Sequence, residues 1–347
     1  MTHDRALALV ESPAQLLNVL ELGASEAEWA SVRIAVLAPA RGQTRDQLRA
    51  MADLAREAGH PVVWHDPRLG GLSSARNVRA LVGELSGVDE LVVGDPFSGL
   101  TQLISALVRP TRVVVVDDGT ATLEFARQWV SGEPLSRWHQ VAGSGPRWHL
   151  TNLVRGQLAR TVRRRWSPAA GCTLSVFTCL PVDLPQIDVR RNDYAWVRAT
   201  YPSPTVKPGA DLIGTSLVET GVVSRDAYVS GVAGLAVEHG VDRYLAHRKE
   251  TDAKLASIAA LGIEVVRPDL PLEIVARRGP VGQTMVSFAS TVVHTLPVVL
   301  QDTGVVIKVC DIEEGWFTEQ ATQRADDFLD QVTRTARTRH GLSAVAA

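Results

Sequence analysis

The stretch RVVVVDD, residues 112–118, constrains the fold more than any other. Four β-branched apolar residues in a row make a strand buried on both faces, which requires a parallel sheet covered on each side. The same alternation of a short apolar run and a longer amphipathic segment fills the first 130 residues. ALALVE (6–11) precedes a helical PAQLLNVLELGA (13–24), and SVRIAVLAP (31–39) precedes TRDQLRAMADLAREAG (44–59), closed by Gly59. PVVWHD (61–66) leads to SARNVRALVGEL (74–85), ELVVGD (90–95) to SGLTQLISALV (98–108), and RVVVVDD to TATLEFARQWV (120–130). Five strand–helix repeats with short connections predict a parallel sheet with helices on both faces.

Residues 131–207 read as less regular, and RWHLTNLVRGQLARTVRRRW (147–166) within them reads as a basic amphipathic helix. Leu150, Val154, Leu158 and Val162 recur there every four residues, with arginines between them. A second α/β series follows, with strands expected at 211–218, 243–248, 263–268, 284–289 and 304–311. Helices are expected at 225–239 and 250–261, and a last one near 318–338 closes the fold, crossing back. A chain of 347 residues exceeds one ordinary core. The expected architecture is α/β, with two doubly wound, Rossmann-like domains facing a central cleft. They span 1–207, with an irregular basic insert at about 131–207, and 208–347.

A formal net charge of −2 gives no general drive toward nucleic acid or membrane. Three scattered cysteines without CxxC or Cys/His metal spacing fit a reduced, cytoplasmic chain. The N-terminus lacks the pattern of a secretion signal, and no apolar run approaches the roughly 20 residues that span a bilayer. The first strand–helix turn, VESPAQLLN, has no glycines for a dinucleotide-binding turn.

Ligands of open α/β sheets bind beyond the carboxyl ends of the strands, where Asp117 and Asp118 fall. Two readings stand side by side. One aspartate faces the ligand, its pKa raised by the other carboxylate and so suited to general-base work. Alternatively, Asp118 or Thr120 caps the following helix.

Asp117–Asp118–Gly119 resembles the D/E-D/E-G motif of bacterial sialyltransferases, including the lipooligosaccharide sialyltransferases and the capsular polysialyltransferases. Five further stretches are similar to that family in the expected order: ESPAQLLNVLE (11–21), LIGTSLVETGVVSRDAYV (212–229), YLAHRKE (244–250), RPDLPLEIV (267–275) and SFASTVVHTL (287–296). The likeness covers most of the chain outside 131–207. One departure is clear: where the family has His-Pro, this chain has His247–Arg248, which removes a rigid loop and adds a cation.

The resemblance implies a GT-B layout and inverting transfer of sialic acid from its CMP-activated form to a glycan hydroxyl, in surface polysaccharide synthesis. It implies that Asp117 is the base, tuned by Asp118, and that His247 as imidazolium meets the phosphate of CMP. Arg248 reinforces that contact or is a solvated surface arginine. Ser290 and Thr291 present hydroxyls and helix-start N–H groups to the phosphate, or serve as an ordinary N-cap. Glu273 binds the ribose hydroxyls or lies exposed at an edge, and Gly214 belongs to the donor side. Ser12, Gln15, Asn18 and Asp95 line the acceptor and sugar side, although βα loops also use such residues for turns and caps.

The expected partners are thus a CMP-sugar and a glycan acceptor, with no nucleic acid. No metal and no cofactor is expected, because CMP leaves with a single phosphate and the adjacent aspartates are not an Asp-x-Asp triplet. Arg155, Arg160, Arg163, Arg164 and Arg165, beside Trp166, suit an anionic membrane surface or polymer, which places the protein peripherally on the inner face of the membrane, against the plainer reading of a solvated helix face. Two other functions stay open: transfer from CMP-Kdo or another CMP-nonulosonate, and an inactive nucleotide- or glycan-binding homologue, which the His-Arg pair permits.

Overall fold

The computed structural model describes residues 5–40, 42–68, 79–137, 146–319 and 323–345, with side chains except for 146–152 and 323–328. The chain forms two compact units, Met1–Trp196 and Val197–Ala347.

The first unit carries a seven-stranded parallel sheet in the order β3-β2-β1-β4-β5-β6-β7. Its strands are β1 (Ala6–Val10), β2 (Arg33–Leu37), β3 (Val62–His65), β4 (Glu90–Val93), β5 (Arg112–Val116), β6 (Thr173–Thr178) and β7 (Asp188–Arg191). Between them run α1 (Pro13–Ser25), α2 (Gln43–Glu57), a helix α3 described over 79–84, α4 (Gly99–Leu107), α5 (Thr120–Ser131) and α6 (Pro146–Arg165), with α7 (Ala195–Thr200) following β7. The expected start of the third helix at 74 lies outside the described residues. Val113–Val116 are wholly buried, as the valine run requires. Helix α1 starts where Ser12 accepts the Gln15 N–H at 3.3 Å and Pro13 occupies the first turn. It is buried over most of its length against α2, β1, β5 and β6.

The described residues of 131–207 are not an irregular insert. They supply β6, parallel to β5, and the edge strand β7. Leu150 lies outside the described side chains, and the rest of the stripe expected on α6 does not share one environment: Val162 is fully buried, yet Val154 is 58% exposed. Among the described side chains here, Val162 and Trp166 enter the core. Two of the five arginines are spent inside the unit. Arg163 donates to the Trp129 carbonyl at 2.6 Å and stacks on the Trp129 ring, and Arg165 donates to the Val108 carbonyl at 3.0 Å. Each satisfies carbonyls left open at a helix C-terminus. Arg155, Arg160 and Arg164 remain exposed.

The second unit carries a six-stranded parallel sheet in the order β10-β9-β8-β11-β12-β13. Its strands are β8 (Val206–Ile213), β9 (Val241–Leu245), β10 (Glu264–Val266), β11 (Val281–Phe288), β12 (Val306–Cys310) and β13 (Ser343–Val345). The helices are α8 (Arg225–His239), α9 (Asp252–Ala259), α10 (Leu272–Arg278), α11 (Val292–Val299) and α12 (Gln323–His340). Tyr228, Phe288 and Trp316 form an aromatic cluster, with ring centroids 4.9–6.3 Å apart. The last helix packs within this unit on α11 and β12, and returns the chain to pair β13 with β12. Among the described residues no helix is long and apolar enough to cross a membrane.

Trp166→Ala is expected to lower the unfolding free energy of the first unit by about 3–5 kcal/mol, because the indole is fully enclosed. Val237→Ser on the solvent face of α8, where Val237 is 89% exposed, is expected to change it by no more than about 0.5 kcal/mol. Urea unfolding of both variants checks the contrast.

Candidate functional site

The carboxyl ends of the first unit's strands gather its polar side chains. Asp117 ends β5 and is 2% exposed. Its carboxylate accepts from Thr178 Oγ1 at 2.6 Å, from Thr122 Oγ1 at 3.1 Å and from the Gly119 N–H at 2.8 Å. Those donors tie the turn after β5 to α5 and to the end of β6. Asp118 is the half-buried member of the pair. Ser12 Oγ donates to its Oδ1 at 3.1 Å, and Gln15 Nε2 to its Oδ2 at 2.8 Å. Neither Asp118 nor Thr120 caps α5, whose start has no side-chain cap. Instead Thr122 Oγ1 accepts the Asp118 N–H at 2.8 Å.

Gln15 is held from its other end as well, since its Oε1 accepts the Glu11 N–H at 2.6 Å. That bond leaves the amide nitrogen for Asp118. The side chain lies flat on Gly94, where an added Cβ would stand 2.4 Å from Oε1. Ser12 and Gln15 therefore serve the carboxylate directly. Asn18 does not: it is buried, its Nδ2 donates to the Ala14 and Asp117 carbonyls, and its Oδ1 accepts from Asn192 at 2.7 Å. Asp95 is likewise internal, accepting the Phe97 N–H at 2.9 Å and pairing with Arg137. The acceptor-side role expected of Asn18 and Asp95 gives way to holding the loops.

Glu11 was passed over in the sequence, although it ends β1 one residue before Ser12. It pairs with Arg68 and accepts from Ser98, and Arg68 also donates to the Leu37 carbonyl at 2.8 Å. Burial raises the Glu11 pKa above the ordinary glutamate range, against the opposing pull of Arg68 and Ser98. The available signal was position: a carboxylate at the exit of a buried strand.

In the second unit, His247 and Arg248 follow β9, Ser290 and Thr291 follow β11, Gly214 follows β8, and Glu273 sits in the first turn of α10. Burial, reinforced by Arg248, Lys249 and Lys254, lowers the His247 pKa to about 3. The ring is therefore neutral near pH 7, and the imidazolium expected from sequence is not the resting form. Its Nδ1 accepts the Lys249 N–H at 3.2 Å, which assigns the ring proton to Nε2. Arg248 is half-buried, and its Nε is enclosed without a hydrogen-bond partner. Glu273 is half-buried too, with its Oε1 accepting from Thr295 Oγ1 at 2.7 Å. Burial raises its pKa, while Thr295 and the nearby Arg248 guanidinium pull it back. The alternative of an exposed Glu273 does not hold.

Thr291 begins α11 without capping it through its side chain, and Ser290 Oγ lies 3.4 Å from Ser287 Oγ. Gly214 is needed for packing: a Cβ there would meet Glu250 Oε2 at 2.2 Å. Sequence reading also missed Glu250 and Lys254, whose spacing imitates a solvent-facing helix pair. Among the described residues no group of three or more His, Cys, Asp or Glu side chains is arranged to hold a metal ion.

No family model matches the chain, and no curated protein matches it in sequence. A solved structure of an α/β-galactoside α-2,3-sialyltransferase from the luminous marine bacterium Photobacterium phosphoreum is similar to it, with a TM-score of 0.54 and 10% identity over 98% of this chain and 97% of that one. The E. coli heptosyltransferase WaaC with ADP-2-deoxy-2-fluoro heptose also aligns, with a TM-score of 0.42 and 16% identity over 96% of this chain and 98% of that one. The likeness to the sialyltransferase is one of fold. The chain has a GT-B-like, two-domain α/β fold.

The depressed histidines set a pH dependence. His294, buried between α11 and α12, has a pKa lowered to about 4. An unfolded chain protonates both histidines below about pH 6.5, whereas the fold does so only near 4 and 3. Stability is therefore expected to fall as pH drops from about 6.5 toward 3. Arg248→Ala is expected to move the His247 titration upward, read by ring NMR.

Proposed function

We propose that the protein is an inverting glycosyltransferase that moves sialic acid, or a related nonulosonic acid, from its CMP-activated form to a glycan hydroxyl. The observation that carries this reading is the second sheet's carboxyl edge. There a neutral imidazole donor, an arginine with an unpartnered Nε and a half-buried glutamate belong to neighbouring strand exits. That set suits a nucleoside monophosphate. The phosphate meets His247, Arg248 and the start of α11 with Ser290 and Thr291, and the ribose meets Glu273. The fold shared with a sialyltransferase and the motifs 117–119 and 244–250 support the same donor.

The base in this reading is Asp118 rather than Asp117. Asp117 is enclosed by donors from β6, α5 and the turn before α5, whereas Asp118 is half-buried and oriented by Ser12 and Gln15. Asp118 takes the proton of the acceptor hydroxyl, and the oxygen's electron pair forms the new bond to the anomeric carbon. The bond from that carbon to the phosphate oxygen breaks, and its pair leaves with CMP. A phosphate with a second pKa near 6 can depart unprotonated, so His247 needs only to donate a hydrogen bond from Nε2. One phosphate is within reach of such donors, and we propose that no metal is required.

The test is CMP release from CMP-sialic acid in the presence of a chelator, with CMP binding followed by calorimetry. The parent is expected to turn over, and Asp118→Asn to lower kcat by about 10²–10⁴ with CMP affinity kept. Asp117→Asn is expected to cost about 1–3 kcal/mol of stability by unbalancing its buried donors. Binding of CMP without turnover of any CMP-nonulosonate would make the protein a nucleotide-binding homologue. Absence of CMP binding would end the proposal.

A further inference from the structure

The loop that carries His247 has no proline to stiffen it, and a buried carboxylate holds it instead. Glu250 Oε2 accepts the His247 backbone N–H at 2.6 Å, and the Glu250 N–H returns to the His247 carbonyl at 3.0 Å, which closes a turn. The other oxygen, Oε1, accepts from the Tyr244 hydroxyl at 2.6 Å and pairs with Lys254 Nζ at 2.7 Å. Both charged side chains are fully enclosed. Lys254 Nζ also donates to the Thr215 carbonyl at 2.7 Å and lies 3.8 Å from the centre of the Tyr228 ring. The Tyr228 and Tyr244 hydroxyls are 2.8 Å apart. Strand β9 and helix α9 thus converge on one carboxylate, Tyr228 of α8 holds both of their polar groups, and Gly214 leaves the space the carboxylate occupies.

Stability alone does not account for this arrangement. A buried Lys–Glu pair is commonly replaced by apolar side chains of similar size at little cost, because both charges must be stripped of water. An apolar pair cannot accept the His247 N–H. We propose that Glu250 is a positioning residue: through the backbone of His247 it sets the place and the tautomer of the imidazole that meets the departing phosphate. This rests on the role given to His247 above. With the turn anchored, Nδ1 receives the Lys249 N–H and Nε2 keeps the ring proton. With the anchor gone, the turn loosens, and both the ring position and the proton assignment follow it.

Two double variants separate the acceptor from the ion pair. Glu250→Gln with Lys254→Met removes the charges of this pair, leaving Glu219, which also lies 3.6 Å from Lys254 Nζ, in both double variants alike, and keeps an acceptor for the His247 N–H. Glu250→Leu with Lys254→Met removes both. The first is expected to keep kcat for CMP-sialic acid within about threefold, and the second to lose roughly 10²-fold with CMP affinity unchanged. Ring-nitrogen NMR of His247 should show the Nε2–H form in the parent and in the Gln/Met protein, and a mixture of tautomers in the Leu/Met protein. Should the Leu/Met protein fail to fold, Gly214→Ala makes the same comparison. It keeps every charge and pushes the carboxylate aside. Unchanged kcat and an unchanged ring after loss of the acceptor overturn the proposal. Equal loss in the Gln/Met and Leu/Met proteins does so too, because the ion pair would then be the active element. A parent that never turns over CMP-sialic acid defeats the functional reading alone, since the ring spectra still decide whether Glu250 sets the imidazole.

Discussion

Strands buried on both faces leave polar side chains nowhere to go except their ends. Val113–Val116 are enclosed entirely, and so is β1 across β4 from them, so the central strands of the first sheet carry no chemistry along their length. Water and ligands reach these central strands only where they stop, and at the carboxyl ends the following helices begin with free N–H groups. Asp117, Asp118, Glu11, Ser12 and Gln15 all stand at such exits, as do His247, Arg248, Ser290 and Thr291 in the second unit. The burial that stabilises each sheet is thus also what concentrates its reactive groups.

Placing two carboxylates at one strand end creates a conflict that the fold resolves by division of labour. Asp117 is turned inward and neutralises the open donors of the turn, Thr122, Thr178 and the Gly119 N–H. Asp118 is left half-buried with two donors from α1 to fix its orientation. A carboxylate with that much support keeps one geometry, which is what proton abstraction from a bound hydroxyl requires. Gln15 can give this support because Gly94 lets its side chain lie against the backbone.

How much of this was legible depended on burial. Strands β1, β2, β4 and β5 announce themselves as apolar runs, because a central parallel strand has no solvent face to encode. Strand β7 reads DVRR and hides for the opposite reason: it is a polar edge strand, mostly exposed. Strand β13 has three residues, too few for a pattern. The site residues were found by position at strand exits, but position does not reveal which way a side chain turns. Asp117 and Asp118 are equivalent on that count, and only the hydroxyls of Thr122 and Thr178, brought in by α5 and β6, distinguish them. Arg163 and Arg165 look like a solvated charge run until α5 and α4 present their open carbonyls.

The two sheet edges arrive at order by different means. On the first, the Asp118 carboxylate is fixed by side-chain donors, and its neighbour Gln15 is fixed by a backbone N–H. On the second, the imidazole of His247 is held through its own backbone, by a carboxylate that is fully enclosed. The cation at 248 sharpens the contrast. A proline there would stiffen the chain without changing the charge, whereas Arg248 adds to the burial that keeps His247 neutral and brings a guanidinium beside Glu273. A neutral ring can donate only from the nitrogen that holds its proton, so the value of the edge for phosphate chemistry depends on tautomer. The tautomer in turn depends on a turn closed by Glu250.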